Sequence, residues 1–256
     1  LEGAGDNAGA FLGPLLAALL LSLPQIGLRS IFYLALIPGL LAFCMVLFVT
    51  DNPEAVAARS RLGASLGRFP VIYWKYLLVT ALFGLGCSSN AFLILRLQEA
   101  GIALQVTILV YSVFNLAAAL ISYPAGYLSD RWGRKVMLLL SFIVFLIAYL
   151  GFALCGNGIL ISAFFVVYGL YQGISRSVGK ALAADLVPPE PRATGIGWYR
   201  ATVGLLQLVA SILAGELWDH IGHAAVFYDG AIFAVVGIIG LLVLLPKGTG
   251  QVAPDP

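Results

Sequence analysis

Charged residues are scarce in this chain. They make up 10% of its 256 residues, whereas an ordinary soluble domain carries roughly 25%. So few charged side chains cannot cover a surface that faces water on all sides, which excludes a soluble globular protein. The formal net charge of +2 lacks the basic excess that would indicate a nucleic-acid partner, and we expect none.

Cysteine and histidine are also scarce. Cys44, Cys87 and Cys155 lie in apolar stretches without the spacing of a metal site or a disulfide framework, as small packing residues do. His220 and His223 have no third defined ligand, so they are weak evidence for a metal site. The chain also lacks a convincing Ser-His-Asp, Cys-His or multi-His constellation. We therefore expect no catalytic residues, no metal and no cofactor.

Apolar residues are abundant and occur in long runs. They form 61% of the chain, and its mean hydropathy is +1.00. The runs last about 20 residues, the length of a membrane-spanning helix, and they lack the alternation of a membrane β-barrel. Only these two structures satisfy every backbone hydrogen bond in lipid. The sequence therefore predicts an all-α membrane protein with spans at 8–23, 29–50, 71–97, 103–128, 135–154, 158–184, 196–218 and 224–246.

Basic residues cluster in alternate loops of this arrangement. The three basic loops carry Arg59, Arg61 and Arg68; then Arg131, Arg134 and Lys135; then Arg192 and Arg200, preceded by Lys180. Because basic loops face the cytoplasm, all three are predicted on that side, in a multi-pass protein of the cell (inner) membrane. Residues 51–70 then form a cytoplasmic linker between two halves, and residues 247–256 form a cytoplasmic tail.

A charged stretch with two glycines, residues 126–135, lies between two of the predicted spans. Its pattern, Gly-x-Leu-Ser-Asp-Arg-x-Gly-Arg-Lys, resembles the loop motif of the major facilitator superfamily, a family of secondary transporters. The resemblance implies an MFS-type helical bundle whose motif contacts hold the cytoplasmic side closed and break when that side opens. The alternative is that the stretch is basic only because it faces the cytoplasm. That would explain the basic residues, but not the aspartate or the glycines. The predicted gating residues are Gly126, Asp130, Arg131, Gly133, Arg134 and Lys135.

The first and last pairs of spans resemble each other. Residues 222–228 align with residues 27–33, and the four spans between the two pairs have no counterpart. The superfamily is built from two six-helix halves. We therefore expect eight of twelve helices here: residues 1–50 end the first half and 71–246 form the second. The alternative is a complete eight-helix protein. In the twelve-helix arrangement, the motif would face the start of the first span, where Asp6 lies.

The first span contains a second motif. Residues 9–18 resemble the Gly-x-x-x-Gly-Pro-x-x-Gly-Gly pattern of exporters within the superfamily, with Ala17 and Ala18 replacing the last two glycines. Small residues four apart, Gly9 and Gly13, allow helices to pack closely, and Pro14 bends the helix. The resemblance implies an exporter, while generic small-residue packing is the alternative.

Polar residues inside the spans are candidates for a substrate cavity, because such residues are costly in lipid. Tyr168, Gln172 and Arg176 are four apart and share one helix face, which predicts a cavity lining or a contact with a neighbouring helix. Arg176 would attract an anionic substrate group or pair with a carboxylate of the first half. Asn115 suits a substrate or an interhelical bond equally well. The full candidate set is Asn90, Tyr111, Asn115, Tyr168, Gln172 and Arg176.

These observations predict a secondary active transporter that moves a small molecule by alternating access. We expect an exporter of drugs or metabolites, coupled to protons or another ion by antiport and in contact with membrane lipid. The visible spans contain no clear buried acid to carry a proton. An integral membrane enzyme and a non-transporting sensor on the same fold are the alternatives.

Overall fold

The computed structural model describes residues 2–23, 27–48 and 69–246, and α-helix is the only regular secondary structure in these ranges. The predicted tail 247–256 and residues 51–68 of the predicted linker lie outside them. The helices are α1 (Glu2–Leu21), α2 (Leu28–Val46), α3 (Val71–Gly84), α4 (Asn90–Glu99), α5 (Leu104–Trp132), α6 (Arg134–Leu154), α7 (Gly158–Asp185), α8 (Arg192–His220) and α9 (His223–Leu244).

Five of these helices, α5 to α9, are long and apolar enough to cross a membrane. Shorter apolar helical stretches cover Gly9–Leu21, Arg29–Met45 and Val71–Gly84. The prediction of an all-α membrane protein is thereby confirmed. Helix α7 packs between α5 and α6, while α9 packs against α6 and α3. Helix α1 packs along α5, and α2 contacts the bundle mainly through α1.

The predicted span 71–97 is two helices rather than one. Helix α3 ends at Gly84, and α4 begins at Asn90, where the Ser89 hydroxyl accepts a hydrogen bond from the Ala91 amide at 3.3 Å. The Ser89 amide donates to the Ser211 hydroxyl of α8 at 3.1 Å. Backbone groups freed by a break inside a membrane need such partners. Gly86 also lies against α9, where a Cβ would come 2.9 Å from the Gly230 carbonyl oxygen, so a larger residue would not fit.

The motif at residues 126–135 is mostly helical, although the sequence predicts a loop there. Residues 126–132 continue α5, and the reversal into α6 occurs at Gly133 alone. Gly133 has φ +93° and ψ 140°, a backbone conformation that is open almost only to glycine. One residue therefore fixes the angle between the two helices that carry the motif.

Aromatic rings and glycines bring the core helices together. In lipid, helices associate through close packing rather than through a hydrophobic driving force. The rings of Phe83 on α3 and Phe142 on α6 stack at 3.7 Å between centroids. Gly169 and Gly173 let α7 approach α5: a Cβ at Gly169 would lie 2.6 Å from the Phe114 carbonyl oxygen. This small-residue pair is four apart, as in other close membrane crossings.

Candidate functional site

The ends of the helices gather at two sides of the bundle. We define the motif end as the side with the Gly133 turn and the connection 186–191. The opposite end carries the connections 100–103, 155–157 and 221–222. Contacts between distant segments tie each end together, and a polar cavity lies between the two.

The cavity has a volume of about 830 Å³ and is bounded by α3 to α8. On α7 its lining follows one face, with Tyr168, Gln172, Arg176 and Lys180 at successive steps of four residues. This is the polar stripe that the sequence predicts, extended by one helical turn to Lys180. The described structure therefore brings the stripe to a cavity rather than to lipid.

The break between α3 and α4 contributes to the cavity wall. Cys87 and Asn90 both line the cavity, one on each side of the break. The Tyr168 hydroxyl donates to Asn90 Oδ1 at 3.2 Å, and Cys87 Sγ lies 3.5 Å from the Tyr171 hydroxyl. Tyr168 and Tyr171 of α7 thus contact the break between α3 and α4 at the cavity wall.

Two of the six predicted cavity residues, Tyr111 and Asn115, do not line this cavity. Asn115 is buried, and its Nδ2 donates to the Tyr111 carbonyl oxygen of the same helix at 2.8 Å. The Tyr111 ring packs against Phe114 and Phe165 at centroid distances of 5.4 and 6.3 Å. A side chain that bonds to its own helix satisfies its polar group locally, so it needs no ligand.

Arg200 was absent from the predicted set but lines the cavity together with Arg176 and Lys180. The sequence placed Arg200 in a basic loop, which indicated only that this loop faces the cytoplasm. Gln207, seven residues further along α8, also lines the cavity, so the spacing of these two polar residues was the signal for a shared helix face. No acidic residue of the described ranges is part of the lining, and none lies within ion-pair distance of these three bases.

Towards the motif end, the cavity narrows between α3, α7 and α8. The Tyr76 hydroxyl donates to the Gly179 carbonyl oxygen at 2.9 Å, and its ring stacks on that of Tyr199 at 5.8 Å. Nearby, the Tyr73 hydroxyl donates to the Gly195 carbonyl oxygen at 2.6 Å. These buried tyrosines hold the start of α3 against the end of α7 and the start of α8.

At the motif end itself, Arg134 bridges two carboxylates. Its Nη2 lies 3.5 Å from Asp130 Oδ1, and its Nε lies 2.5 Å from Asp185 Oδ2. These two ion pairs join α5, α6 and α7 through one guanidinium. Asp185 is thus the residue that brings α7 into the contact.

The other motif residues have separate roles. The Arg131 guanidinium lies 4.7 Å from the centre of the Tyr127 ring, and Lys135 Nζ donates to the Leu245 carbonyl oxygen at the end of α9. Around Gly126, no described atom comes within 4 Å of the position that a Cβ would take, so close helix approach is not its role within the described structure. The side chain of Asp6, the expected neighbour of the motif, lies outside the described part.

The exporter-like motif of the first span lies on α1, which is helical through Pro14. Around Gly9 and Gly13, the described structure also leaves open space within 4 Å of a Cβ. The close packing expected at these two glycines is thus not seen among the described residues.

The opposite end is tied together by Arg96. Its Nε donates to the Phe152 carbonyl oxygen at 3.2 Å, and its Nη2 donates to the Cys155 carbonyl oxygen at 2.6 Å. Glu99 Oε2 lies 3.6 Å from Arg96 Nη1 and 3.0 Å from His223 Nδ1. The Arg96 side chain is buried by these contacts.

Each histidine pairs with a glutamate. His220 Nε2 lies 3.2 Å from Glu216 Oε2, one helical turn earlier on α8, and His223 faces Glu99. Within the described ranges, no group of three or more His, Cys, Asp or Glu side chains is placed to hold a metal ion.

Comparison with known proteins gives the family. The family model of the Major Facilitator Superfamily matches residues 76–256. The chain is 32% identical to an uncharacterized MFS-type transporter of Methanocaldococcus jannaschii over 95% of this chain and 62% of that protein. It is 24% identical to citrate exporter 1 of Aspergillus niger over 61% of this chain and 30% of that protein.

A further relative is the tetracenomycin C resistance and export protein of Streptomyces glaucescens, which is 27% identical over 55% of this chain and 26% of that protein. The chain thus spans less than two thirds of the length of each of these relatives. The match to residues 76–256 includes the cavity helices and the entire motif at 126–135. The chain is therefore a multi-pass membrane protein that belongs to the Major Facilitator Superfamily of transporters.

Proposed function

We propose that this chain is part of a secondary active transporter that exports a small organic molecule by alternating access, in exchange for protons. The observation that carries the proposal is the cavity of about 830 Å³, lined by the polar stripe of α7 and bounded at the motif end by interhelical contacts. Ligand sites in proteins commonly enclose about 300–1,000 Å³, so this cavity has room for a drug-sized or metabolite-sized molecule.

Export, rather than uptake, is supported by the relatives. Two of them are named as exporters, one for citrate and one for tetracenomycin C. The exporter-like motif at residues 9–18 points in the same direction. The names belong to those proteins alone, so the direction of transport in this chain is part of the proposal.

Opening of the motif end is the conformational step of the proposal. Asp130 is 58% exposed and lies at the last turn of α5, where its contact with Arg134 is accessible to water. Exposed ion pairs contribute only about 0–1 kcal/mol, so they can break and re-form as helices move. Arg134 would hold α5, α6 and α7 together in the closed arrangement and release them when that side opens.

Exchange with protons can be measured directly. The purified protein is reconstituted into liposomes that contain the pH dye pyranine, and candidate solutes are added against an imposed pH gradient. We expect at least one solute to drive proton movement in the direction opposite to its own, with no such movement in liposomes without protein. Solute movement without a proton flux would overturn antiport. Failure to move any solute, with every gradient tested, would overturn transport and favour a sensor.

A further inference from the structure

We infer, on the basis of the proposed transport function, that the substrate is an amphipathic organic anion: its anionic group binds at Arg176, Lys180 and Arg200, and its aromatic or apolar part lies against the tyrosine-rich remainder of the cavity. These three residues are termed the cationic cluster below. The inference deepens the proposed function by giving the chemical class of the transported molecule.

Among the described residues, no acidic side chain compensates the positive charge that the cationic cluster gives to one region of the cavity. Arg176 and Lys180 lie one turn apart on α7, about 6 Å along the helix axis, and Arg200 faces the same space from α8. Arg176 and Arg200 are exposed to the cavity, and Lys180 is half-buried. No carboxylate of the described ranges pairs with them. Charges inside a membrane protein are costly unless they are paired or hydrated, so this site favours an anionic group.

Aromatic residues form part of the remaining wall of the cavity. Tyr168 and Tyr171 line it five to eight residues before Arg176, which places them about 8–12 Å along α7 towards the opposite end. Their rings lie 5.2 Å apart, and the stacked pair of Phe83 and Phe142 completes this wall. These rings are 2–8% exposed, so they offer their edges, which suit an aromatic or apolar group in edge-to-face contact.

The hydroxyls of the two tyrosines are already engaged. Tyr168 donates to Asn90, and the Tyr171 hydroxyl contacts Cys87 Sγ. Tyr168 and Tyr171 are 3% and 8% exposed, so only the edges of their rings border the cavity. Gln172 and Gln207 line the space as neutral groups that can bind polar substituents. The cavity thus has its three cationic side chains towards the motif end, which would fix the orientation of an amphipathic anion.

The volume argues against a small inorganic anion. A phosphate or chloride ion would occupy only a small part of about 830 Å³ and would leave the aromatic wall without a partner. An anion with an attached organic body uses both regions. The competing explanation is that a carboxylate from elsewhere in the protein neutralises Arg176, and the experiment distinguishes the two.

The test compares four probes on the purified protein. Naphthalene-2-sulfonate is an aromatic anion, 2-naphthalenemethanol is its neutral counterpart, 2-naphthylmethylammonium is the cationic one, and citrate is an anion without a ring. Binding is measured by isothermal titration calorimetry. We expect naphthalene-2-sulfonate to bind on the order of tenfold more tightly than the alcohol and citrate, and the ammonium compound to bind most weakly.

Variants locate the effect. Arg176→Gln and Arg200→Gln are each expected to weaken sulfonate binding on the order of tenfold and to leave alcohol binding within about twofold. Arg176→Lys keeps the charge and is expected to restore most of the affinity. Arg29→Gln and Lys75→Gln are the matched controls, because both residues are exposed and neither lines the cavity. They are expected to bind the sulfonate as the wild type does.

Several results would overturn the inference. They are preference for the ammonium or neutral probe, equal binding of all probes, binding of none, or loss of folding in Arg176→Gln with unchanged sulfonate affinity in Arg200→Gln. The last result would indicate that Arg176 pairs with a carboxylate of the protein. If a variant does not fold, the wild-type order of the four probes still decides. Proton-coupled movement of a neutral or cationic solute in the liposome assay would contradict this inference while leaving the proposed function intact.

Discussion

The two ends of the bundle each use an arginine to join helices, but the partners differ. At the opposite end, Arg96 is 6% exposed and donates to two main-chain carbonyls, those of Phe152 and Cys155. These carbonyls belong to the last turn of α6 and the residue that follows it. They cannot move away from Arg96 unless that part of the chain moves as well, so the opposite end is built as a fixed joint.

At the motif end, the arginine is held by side chains. Arg134 lies between the carboxylates of Asp130 and Asp185, on the two helices that flank its own in sequence. Carboxylate side chains at helix ends can separate by rotation without a change in the main chain. Two ends that both use an arginine can therefore differ in rigidity. This difference fits the proposal that this arginine contact separates when the motif end opens. Tyr73, Tyr76 and Lys135 also donate to main-chain carbonyls there and would release them in the same step.

The largest effect is expected from Arg96→Ala. Hydrogen bonds to charged groups contribute about 1.5–3 kcal/mol each, and their loss would leave one buried and one partly buried carbonyl without these donors. We expect the free energy of unfolding to fall by about 3 kcal/mol or more, measured by thermal or denaturant unfolding in detergent. Arg29→Ala, on an exposed position of α2, is the control. Unchanged stability of Arg96→Ala would show that this end is not a fixed joint.

The next effect concerns the turn between α5 and α6. Gly133→Ala places a Cβ on a residue at φ +93°, which costs about 1–3 kcal/mol. Gly126→Ala is the matched control, since its surroundings in the described structure are open and its position is helical. We expect Gly133→Ala to unfold at a lower temperature and Gly126→Ala to be neutral or slightly stabilising. Equal stability of the two variants would contradict a strict glycine requirement at this turn.

Asp130→Asn tests the contact that is proposed to open. It removes the charge from an exposed ion pair, so we expect less than about 1 kcal/mol of lost stability. Transport is expected to slow on the order of tenfold, equivalent to 1.4 kcal/mol, because the balance between closed and open states shifts. The liposome proton-flux assay measures the rate, and membrane insertion should be normal. Asp219→Asn, at the opposite end, is the control; a wild-type rate in Asp130→Asn would refute the gating role.

The smallest effect is expected from Glu99→Gln. Glu99 is 40% exposed and contacts Arg96 and His223. The hydrogen bonds from Arg96 to the two carbonyls do not depend on it. We expect its loss to reduce stability by about 0–1 kcal/mol, clearly less than Arg96→Ala. Unfolding of the two variants under the same conditions gives the comparison. If Glu99→Gln were as destabilising as Arg96→Ala, the carboxylate rather than the carbonyls would hold the opposite end.

Sequence analysis predicted the long helices within a few residues. The spans 135–154 and 158–184 agree closely with α6 and α7, because their apolar runs end at clear glycine or charged positions. The break in 71–97 was missed, since the run is apolar by composition throughout. Only the neighbouring helices reveal it: Gly86 is pressed against α9, and Ser88 and Ser89 meet hydroxyls of Tyr149 and Ser211.

The candidate site was predicted in part. Spacing along one helix identified Tyr168, Gln172 and Arg176, because residues four apart share a face whatever the neighbours are. Spacing could not distinguish Asn115, which bonds to its own helix, from a cavity residue. It also could not bring Arg200 of α8 to the same space, since that depends on how two separate helices pack.

The sequence by itself determined that the chain lies in lipid and that it forms α-helices. Long apolar runs with few charges are stable only as helices in lipid. The sequence also determined the family, through a motif whose residues are adjacent in the chain. The tertiary structure decided which charges meet. Arg134 reaches Asp185 across 51 positions and Arg96 reaches Phe152 across 56. Such partners are chosen by helix packing, in which contact depends on crossing angle and rotation rather than on distance along the chain.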